Sequence, residues 1–199
     1  MNKKNLAVST SLCIVILTTF IGHAQKSSSL VYPQVGKQCP DFEFTDVRHF
    51  EKKEVRLSDF RGKWLVLDFW HRYCYYCLQS QPHIDSLQRK FGERVQFLLV
   101  GYSGSKYRDR SDYKEIVSLY ERNRIAYNLV LPIAYDSVVS EKFDIGPTPY
   151  IVVIDPQGLV RAITYKISEQ NIVDLLSDKN VDVPRAYRRA EAKEKNKKD

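Results

Sequence analysis

Apolar residues in this 199-residue chain fall into two patterns, unbroken runs and runs with helical spacing. Residues 64–70 form an unbroken run with a single acid, Asp68, which is typical of a strand buried on both faces of a sheet. Residues 95–102 and 150–154 predict two further strands. Residues 75–91 place apolar side chains three or four positions apart, which predicts a helix ending at Gly92.

Shorter patterns occupy the rest of the chain. They predict edge strands at 42–44 and 55–57 around a hairpin turn, one turn at 58–63, a polar loop at 103–110, helices at 112–125, 137–143 and 168–176, and strands at 127–131 and 159–165. Strands that alternate with helices, followed by a hairpin and a last helix, indicate an α/β sandwich with a central mixed β-sheet.

The first 24 residues have the layout of a cleaved secretory signal. Two lysines precede an apolar run over residues 12–21, and small residues at positions 22 and 24 precede Gln25. The run is shorter than the ~20 residues that span a bilayer, and the alternative is an uncleaved N-terminal anchor. Residues 25–35 are polar and predict a linker. We therefore expect an exported, periplasmic or cell-envelope protein that contacts the membrane, if at all, only through an uncleaved leader.

The formal net charge of +7 lies mostly at the two ends of the chain. Residues 185–199 carry seven basic and three acidic side chains, whereas the body between the leader and this tail is nearly neutral. A neutral body argues against a nucleic-acid-binding face. The composition predicts a folded domain over residues 36–180 and a basic, mobile tail over residues 181–199.

The cysteines suggest the chemistry. Cys39, Cys74 and Cys77 remain after the predicted cleavage, and an odd number does not make a complete set of structural disulfides. Cys74 opens the predicted helix directly after the buried strand, where the helix dipole stabilises a thiolate, and it is therefore the candidate nucleophile. Cys77 lies one turn later and can resolve a mixed disulfide. Asp68, desolvated in the strand, can take up its proton.

Each of these residues also has a purely structural interpretation. The cysteine pair could be an inert disulfide or half of a metal site, but a metal needs two more ligands, and His71 and His83 fall at no zinc-like spacing. No metal, cofactor or prosthetic group is predicted. Asp68 could be a hydrogen-bonded structural acid. Cys39 is more typical of a small buried hydrophobe than of a third redox partner.

The motif Asp68-Phe-Trp-x-x-x-Cys-x-x-Cys77 resembles that of the thioredoxin superfamily. Pro82 stands where thioredoxins carry a helix-kinking proline, and Trp70 is expected to pack in the core and shield the site. Residues 146–150 resemble the loop that holds a cis-proline opposite the nucleophile. The resemblance assigns this position to Pro149, after Thr148, with Pro147 as the alternative, and implies that the loop holds a partner polypeptide as an added strand.

The flanking segments 36–42, 57–63 and 154–158 resemble those of TlpA-like and ResA-like exported thioredoxins, and the resemblance covers residues 36–177. It implies a thioredoxin-like three-layer sandwich with an N-terminal β-hairpin extension. It also implies an enzyme that reduces, or less often oxidises, disulfides in exported proteins, including cytochrome apoproteins, in exchange with a membrane electron donor or acceptor.

The sequence departs from the family at three places. Tyr73 replaces a tryptophan, Tyr75 and Tyr76 replace the usual pair between the cysteines, and Cys39 replaces an alanine. The three tyrosines could form a rim that binds a polypeptide or could simply be exposed aromatics. The redox potential and the partner are the properties that these changes affect.

Two other functions compete with this interpretation. The first is a thiol peroxidase of the peroxiredoxin class, which would need a threonine three residues before its reactive cysteine. The chain has His71 there. The second is a non-enzymatic binding module, whose Cys74–Cys77 disulfide thiol reductants would not open.

Overall fold

The fold is described from a computed structural model, and the structure describes residues 32–102 and 112–197. The predicted leader and the predicted loop at 103–110 lie outside these residues. None of the helices within the described ranges is long and apolar enough to cross a membrane.

A six-stranded mixed sheet forms the centre of the molecule. Its strands, in spatial order, are β2 (Val47–Arg48), β6 (Ile133–Asp136), β5 (Val95–Tyr102), β4 (Trp64–Trp70), β7 (Tyr150–Ile154) and β8 (Val160–Thr164). β4, β5 and β6 run parallel, and β2, β7 and β8 pair antiparallel with their neighbours. β4 is paired with a strand on each side, and its side chains pack in the cores on both faces of the sheet. This confirms the burial on both faces that its apolar run predicts.

Helices and loops cover the two faces of the sheet. One face packs against α1 (Tyr75–Phe91), α2 (Tyr113–Tyr127) and α4 (Glu169–Leu176). The other face packs against α3 (Val138–Lys142), a 3-10 turn at Leu57–Phe60, and the two-stranded pair of β1 (Glu43–Phe44) and β3 (Val55–Arg56). The predicted three-layer α/β sandwich with a mixed sheet and an N-terminal hairpin is confirmed.

The short strand predicted at 127–131 is wrong. α2 continues to Tyr127, and Asn128 ends it in the left-handed conformation at φ 49° that asparagine tolerates. The strand begins only at Ile133, after Pro132, because proline has no N–H to give to a strand ladder.

The C-terminal segment differs from the mobile tail predicted for residues 181–199. Ala186 is buried in the core, Arg185 pairs with the last strand, and a further helix, α5 (Arg189–Lys195), follows. Arg188 and Arg189 form ion pairs with Asp144 and Glu141 at 3.2 and 2.7 Å. The described part of this segment therefore packs on the domain, because its basic residues meet acids that are distant in sequence.

Candidate active site

The cysteine motif lies where the central strand passes into the first helix. β4 ends at Trp70, and the backbone turns through a hydrogen bond from Cys74 N to the carbonyl of His71 at 2.9 Å. Cys74 is the N-cap of α1, and its Sγ accepts the Cys77 amide at 3.2 Å. The predicted placement of the first cysteine at a helix start is confirmed, and backbone N–H groups there favour a thiolate.

Cys74 and Cys77 form a disulfide, with Cα atoms 5.3 Å apart. Cys77 is 2% exposed and Cys74 is 6% exposed. Both cysteines are therefore buried, and Cys74, the predicted nucleophile, is slightly the more exposed residue of the two. Within the described residues no group of three or more His, Cys, Asp or Glu side chains is arranged to hold a metal ion.

Asp68 is buried in β4 beneath the motif. Because side chains alternate along a strand, Asp68 points to the same face as Val66 and Trp70, and that face packs with Cys74 and Cys77. Its Oδ1 has no hydrogen-bond partner among the described residues. Burial without a compensating charge raises the pKa of the Asp68 carboxyl to about 7. Such a group exchanges protons near neutral pH, as a base for Cys77 must.

The loop before β7 completes the site. The peptide bond between Thr148 and Pro149 is cis, so Pro149, and not Pro147, is the cis-proline. Tyr150 pairs with Phe69 across the sheet, which sets Pro149 beside the end of β4, where the cysteine motif begins. The Thr148 hydroxyl is buried without a hydrogen-bond partner in the described parts of the chain. Binding of a polypeptide by Thr148 and Pro149 remains a prediction.

The three tyrosines of the motif are on the surface. Tyr73, Tyr75 and Tyr76 are 55%, 64% and 74% exposed, and the rings of Tyr75 and Tyr76 meet edge to face at 5.9 Å. Tyr76 and Pro149 line one cavity of ≈ 410 Å³ with mainly apolar walls. A rim that binds a peptide needs an aromatic side chain near the cis-proline, as Tyr76 is near Pro149. Peptide binding by the three tyrosines stays a prediction.

Trp70 and Pro82 lie behind the site. Trp70 is 1% exposed and packs 6.5 Å from Tyr120 in the core, and the shielding of the site by Trp70 stays a prediction. Pro82 lies within α1, which is one helix from Tyr75 to Phe91. A proline leaves the carbonyl four residues earlier without its helical donor. The Asn123 side chain from α2 donates to that carbonyl, on Leu78, at 3.2 Å.

Sequence reasoning did not single out Asn123. Its contact crosses 45 residues of chain, and a lone asparagine inside a helical pattern carries no signal for it. The available hint was the proline, since a missing donor implies a side-chain substitute somewhere in the fold.

Cys39 lies apart from the site. It is buried in the core on one face of the sheet, whereas Cys74 and Cys77 belong to the core on the other face. Burial raises the pKa of the Cys39 thiol to about 12. Cys39 therefore behaves as a small buried hydrophobe and not as a third redox partner.

Residues 35–163 match the model of the AhpC/TSA family. The chain belongs to the AhpC/TSA family. A relative in Geobacillus kaustophilus, the thiol-disulfide oxidoreductase ResA, is 28% identical over 169 residues, which are 82% of this chain and 89% of the relative. This AhpC/TSA protein thus has the predicted class of activity, that of a thiol–disulfide oxidoreductase.

Solved structures agree with the fold. The exposed lipoprotein thioredoxin Etrx1 from Streptococcus pneumoniae is 26% identical, with a TM-score of 0.54 over 69% of this chain and 98% of the other. A 2-Cys peroxiredoxin from Plasmodium vivax is 19% identical, with a TM-score of 0.53 over 72% of this chain and 80% of the other. The second likeness is one of fold alone.

Proposed function

We propose that this AhpC/TSA-family protein reduces disulfides in exported proteins through the dithiol form of Cys74 and Cys77. One observation carries the proposal. The two cysteines form a disulfide at a helix start, on the same face of the sheet as a buried acid, Asp68, with a pKa of about 7. A structural disulfide needs no such acid, whereas a resolving thiol needs a base.

The reaction has two exchange steps. The Cys74 thiolate attacks one sulfur of the substrate disulfide, a Cys74–substrate disulfide forms, and the other substrate sulfur leaves as a thiolate. Cys77 then loses its proton to Asp68 and attacks the Cys74 sulfur. The Cys74–Cys77 disulfide forms and the second substrate sulfur leaves. Two electrons pass from the protein dithiol to the substrate, so each turnover leaves the protein with a Cys74–Cys77 disulfide.

The cis-proline loop holds the substrate in this proposal. The backbone of Thr148 and Pro149 lies next to the end of β4 and pairs with an extended substrate segment as an added strand. The exposed rings of Tyr73, Tyr75 and Tyr76, which are neighbours of the two cysteines in the sequence, contact the substrate's side chains. Binding through the backbone requires no particular substrate sequence, which suits an enzyme with several partners.

The location and the electron supply are further parts of the proposal. Residues 1–24 act as a secretory signal, and the protein works in the periplasm or cell envelope, where disulfides persist. The exposed lipoprotein thioredoxin among its structural relatives supports that location. A membrane electron donor returns two electrons to the Cys74–Cys77 disulfide after each turnover.

The test is reduction of a disulfide-linked peptide by the leader-free, pre-reduced protein. We expect one substrate disulfide reduced per protein, no reduction by Cys74→Ser, and a Cys74–peptide adduct that accumulates with Cys77→Ser and is visible by mass spectrometry. Cys39→Ala is the matched control and should behave as wild type. Release of fully reduced peptide by pre-reduced Cys77→Ser at the wild-type rate, with no external thiol present, contradicts the mechanism. Faster consumption of hydrogen peroxide than of the peptide disulfide favours the peroxidase alternative.

A further inference from the structure

His71 directly follows the central strand and begins the turn that leads to the predicted nucleophile. Only residues 71–73 separate Trp70, the last residue of β4, from Cys74, the N-cap of α1. In a link this short, the course of the backbone decides where the Cys74 side chain points. A residue that fixes the link therefore also fixes the position of the attacking sulfur.

His71 accepts two backbone amides of this turn. Its carbonyl accepts the amide of Cys74 at 2.9 Å, which closes a turn of four residues. Its ring nitrogen Nδ1 accepts the amide of Tyr73 at 3.1 Å. Because a backbone N–H can only donate, the neutral ring accepts at Nδ1 and carries its proton on Nε2. One residue thus holds the amide of the nucleophile and the amide just before it.

The His71 ring has neighbours on two sides. Its centroid lies 6.2 Å from that of the Tyr73 ring. His71 also lines a cavity of ≈ 280 Å³ together with Ile145 and Thr148 of the loop that leads to the cis-proline. The side chain therefore lies between the cysteine turn and this loop. Neighbours on both sides restrict its rotamers, which keeps Nδ1 directed at the Tyr73 amide.

The turn matters because it sets what the Cys74 sulfur meets. Its Sγ accepts the Cys77 amide at 3.2 Å, and its carbonyl accepts the Leu78 amide at 3.2 Å. An anionic acceptor forms a stronger hydrogen bond than a neutral one, so the amide stabilises a Cys74 thiolate more than a thiol. If the turn were held less firmly, Sγ could move away from this amide and the thiolate would lose that stabilisation.

We infer that His71 is a positioning residue, which stabilises the Cys74 thiolate by holding the turn through its Nδ1. The inference rests on the proposed function, because it concerns the cysteine that attacks the substrate. The role requires an acceptor atom three bonds from Cα. The side-chain oxygen of asparagine meets this requirement and forms the same kind of turn, whereas the oxygen of glutamine lies one bond farther out.

The experiment measures how the alkylation of Cys74 by iodoacetamide depends on pH. In the leader-free protein, Cys39→Ala and Cys77→Ser leave Cys74 as the single thiol and keep the backbone amide at position 77. Because the thiolate is the form that reacts, the pH of half-maximal rate reports its stability. His71→Asn should keep the midpoint of this background, whereas His71→Gln and His71→Ala should raise it by about 0.5 to 1 pH unit, as expected for one lost hydrogen bond.

His71→Asn and His71→Gln are a matched pair, since they differ by one methylene and so isolate the reach of the acceptor. An unchanged midpoint in all three variants overturns the inference. An equal rise in His71→Asn and His71→Gln also overturns it, because the imidazole itself would then stabilise the thiolate. If the wild-type protein reduces no peptide disulfide, the proposed function fails instead, and the alkylation midpoints still decide the role of His71.

Discussion

At the scale of single residues, the buried strand Trp64–Trp70 carries one acid, Asp68, and its proposed role in proton transfer gives a reason for that acid. A buried carboxyl without full hydrogen bonding destabilises a fold, and every other residue of Trp64–Trp70 is apolar. Burial raises the pKa of the Asp68 carboxyl to about 7, so below that pH the group is mainly neutral and its burial costs less. In the proposed mechanism the same property suits Asp68 to take a proton from Cys77, which packs on that face of the sheet.

Replacing Asp68 by Asn removes this base. We expect the attack of Cys77 on a preformed Cys74 mixed disulfide to slow about 10²-fold or more, the range typical of a general base. In wild type the rate of this step should rise with pH through about 7, as the carboxyl ionises. Stopped-flow measurement of the released thiol checks the slower step in Asp68→Asn and the pH dependence in wild type. A variant that keeps the wild-type rate and its pH dependence contradicts the role of Asp68.

The same residue predicts a pH-dependent stability. The pKa of Asp68 is about 7 in the folded protein and near 3.8 when unfolded. The free energy of unfolding therefore falls as pH rises from about 4 to about 7, because the unfolded chain ionises this carboxyl more easily than the folded protein does. Asp68→Asn should therefore raise the free energy of unfolding at pH 8 by up to about 4 kcal/mol, with the gain vanishing near pH 4.

Denaturant unfolding at the two pH values measures this gain. Asp85→Asn is the comparison, because Asp85 is also buried but pairs with Arg89 at 2.7 Å. Removing that charge should destabilise the protein at pH 8. Two substitutions of the same chemistry are thus expected to have opposite signs, and a loss of stability in both would contradict the account of Asp68.

At the scale of elements, the first helix depends on a contact from the second. Pro82 leaves the Leu78 carbonyl without a helical donor, and Asn123 supplies one. Asn123→Ala should cost about 1 to 3 kcal/mol, because it leaves buried acceptors without a partner. The exposed neighbour Arg122→Ala should change stability by less than about 0.5 kcal/mol.

A double-mutant cycle tests whether Asn123 stabilises the protein by replacing the helical donor that Pro82 lacks. Ala at position 82 supplies the missing N–H, so Asn123→Ala should cost less by about 0.5 to 1 kcal/mol in a Pro82→Ala background than in wild type. Chemical denaturation of the four proteins gives the coupling energy. A coupling of zero would mean that Asn123 does not substitute for the helical donor.

Most elements of the fold could be predicted from the sequence, because their signals are local. The bounds 64–70, 75–91, 95–102 and 150–154 follow from apolar runs and spacing and agree with the structure. The prediction of a strand at 127–131 was wrong because the helix runs on to a left-handed Asn128 and the strand begins only after Pro132. The β-propensity of the residues takes account of neither effect. Asp68 could be identified for a similar local reason, as one acid in an apolar run.

At the scale of the whole molecule, the end of the chain shows where sequence reasoning stops. Residues 181–199 have few apolar side chains, which predicts a solvated tail. The structure packs the described part of this segment, residues 181–197, because Ala186 enters the core and Arg188 meets Asp144, 44 residues away. A contact between distant charges leaves no periodic pattern in either segment.

This packing can be tested at Gly146. A Cβ there would overlap the Tyr187 carbonyl and lie 2.9 Å from the Arg188 carbonyl carbon, so Gly146→Ala should displace the C-terminal segment. We expect trypsin to cleave after Arg188 at least several-fold faster than in wild type. The exposed neighbour Pro147→Ala is the control and should leave the rate unchanged. Equal protection in Gly146→Ala would contradict the close packing.

The central claim is that Cys74 and Cys77 form a reversible dithiol–disulfide couple that donates electrons. The most direct measurement is the equilibrium reduction potential of the leader-free protein in glutathione and dithiothreitol buffers, with Cys39→Ala to remove the third thiol. The account predicts a potential toward that of thioredoxin, about −270 mV. A potential near about −120 mV, that of a strong oxidant, would contradict the direction of electron flow. A disulfide with no reversible couple would contradict the enzyme itself.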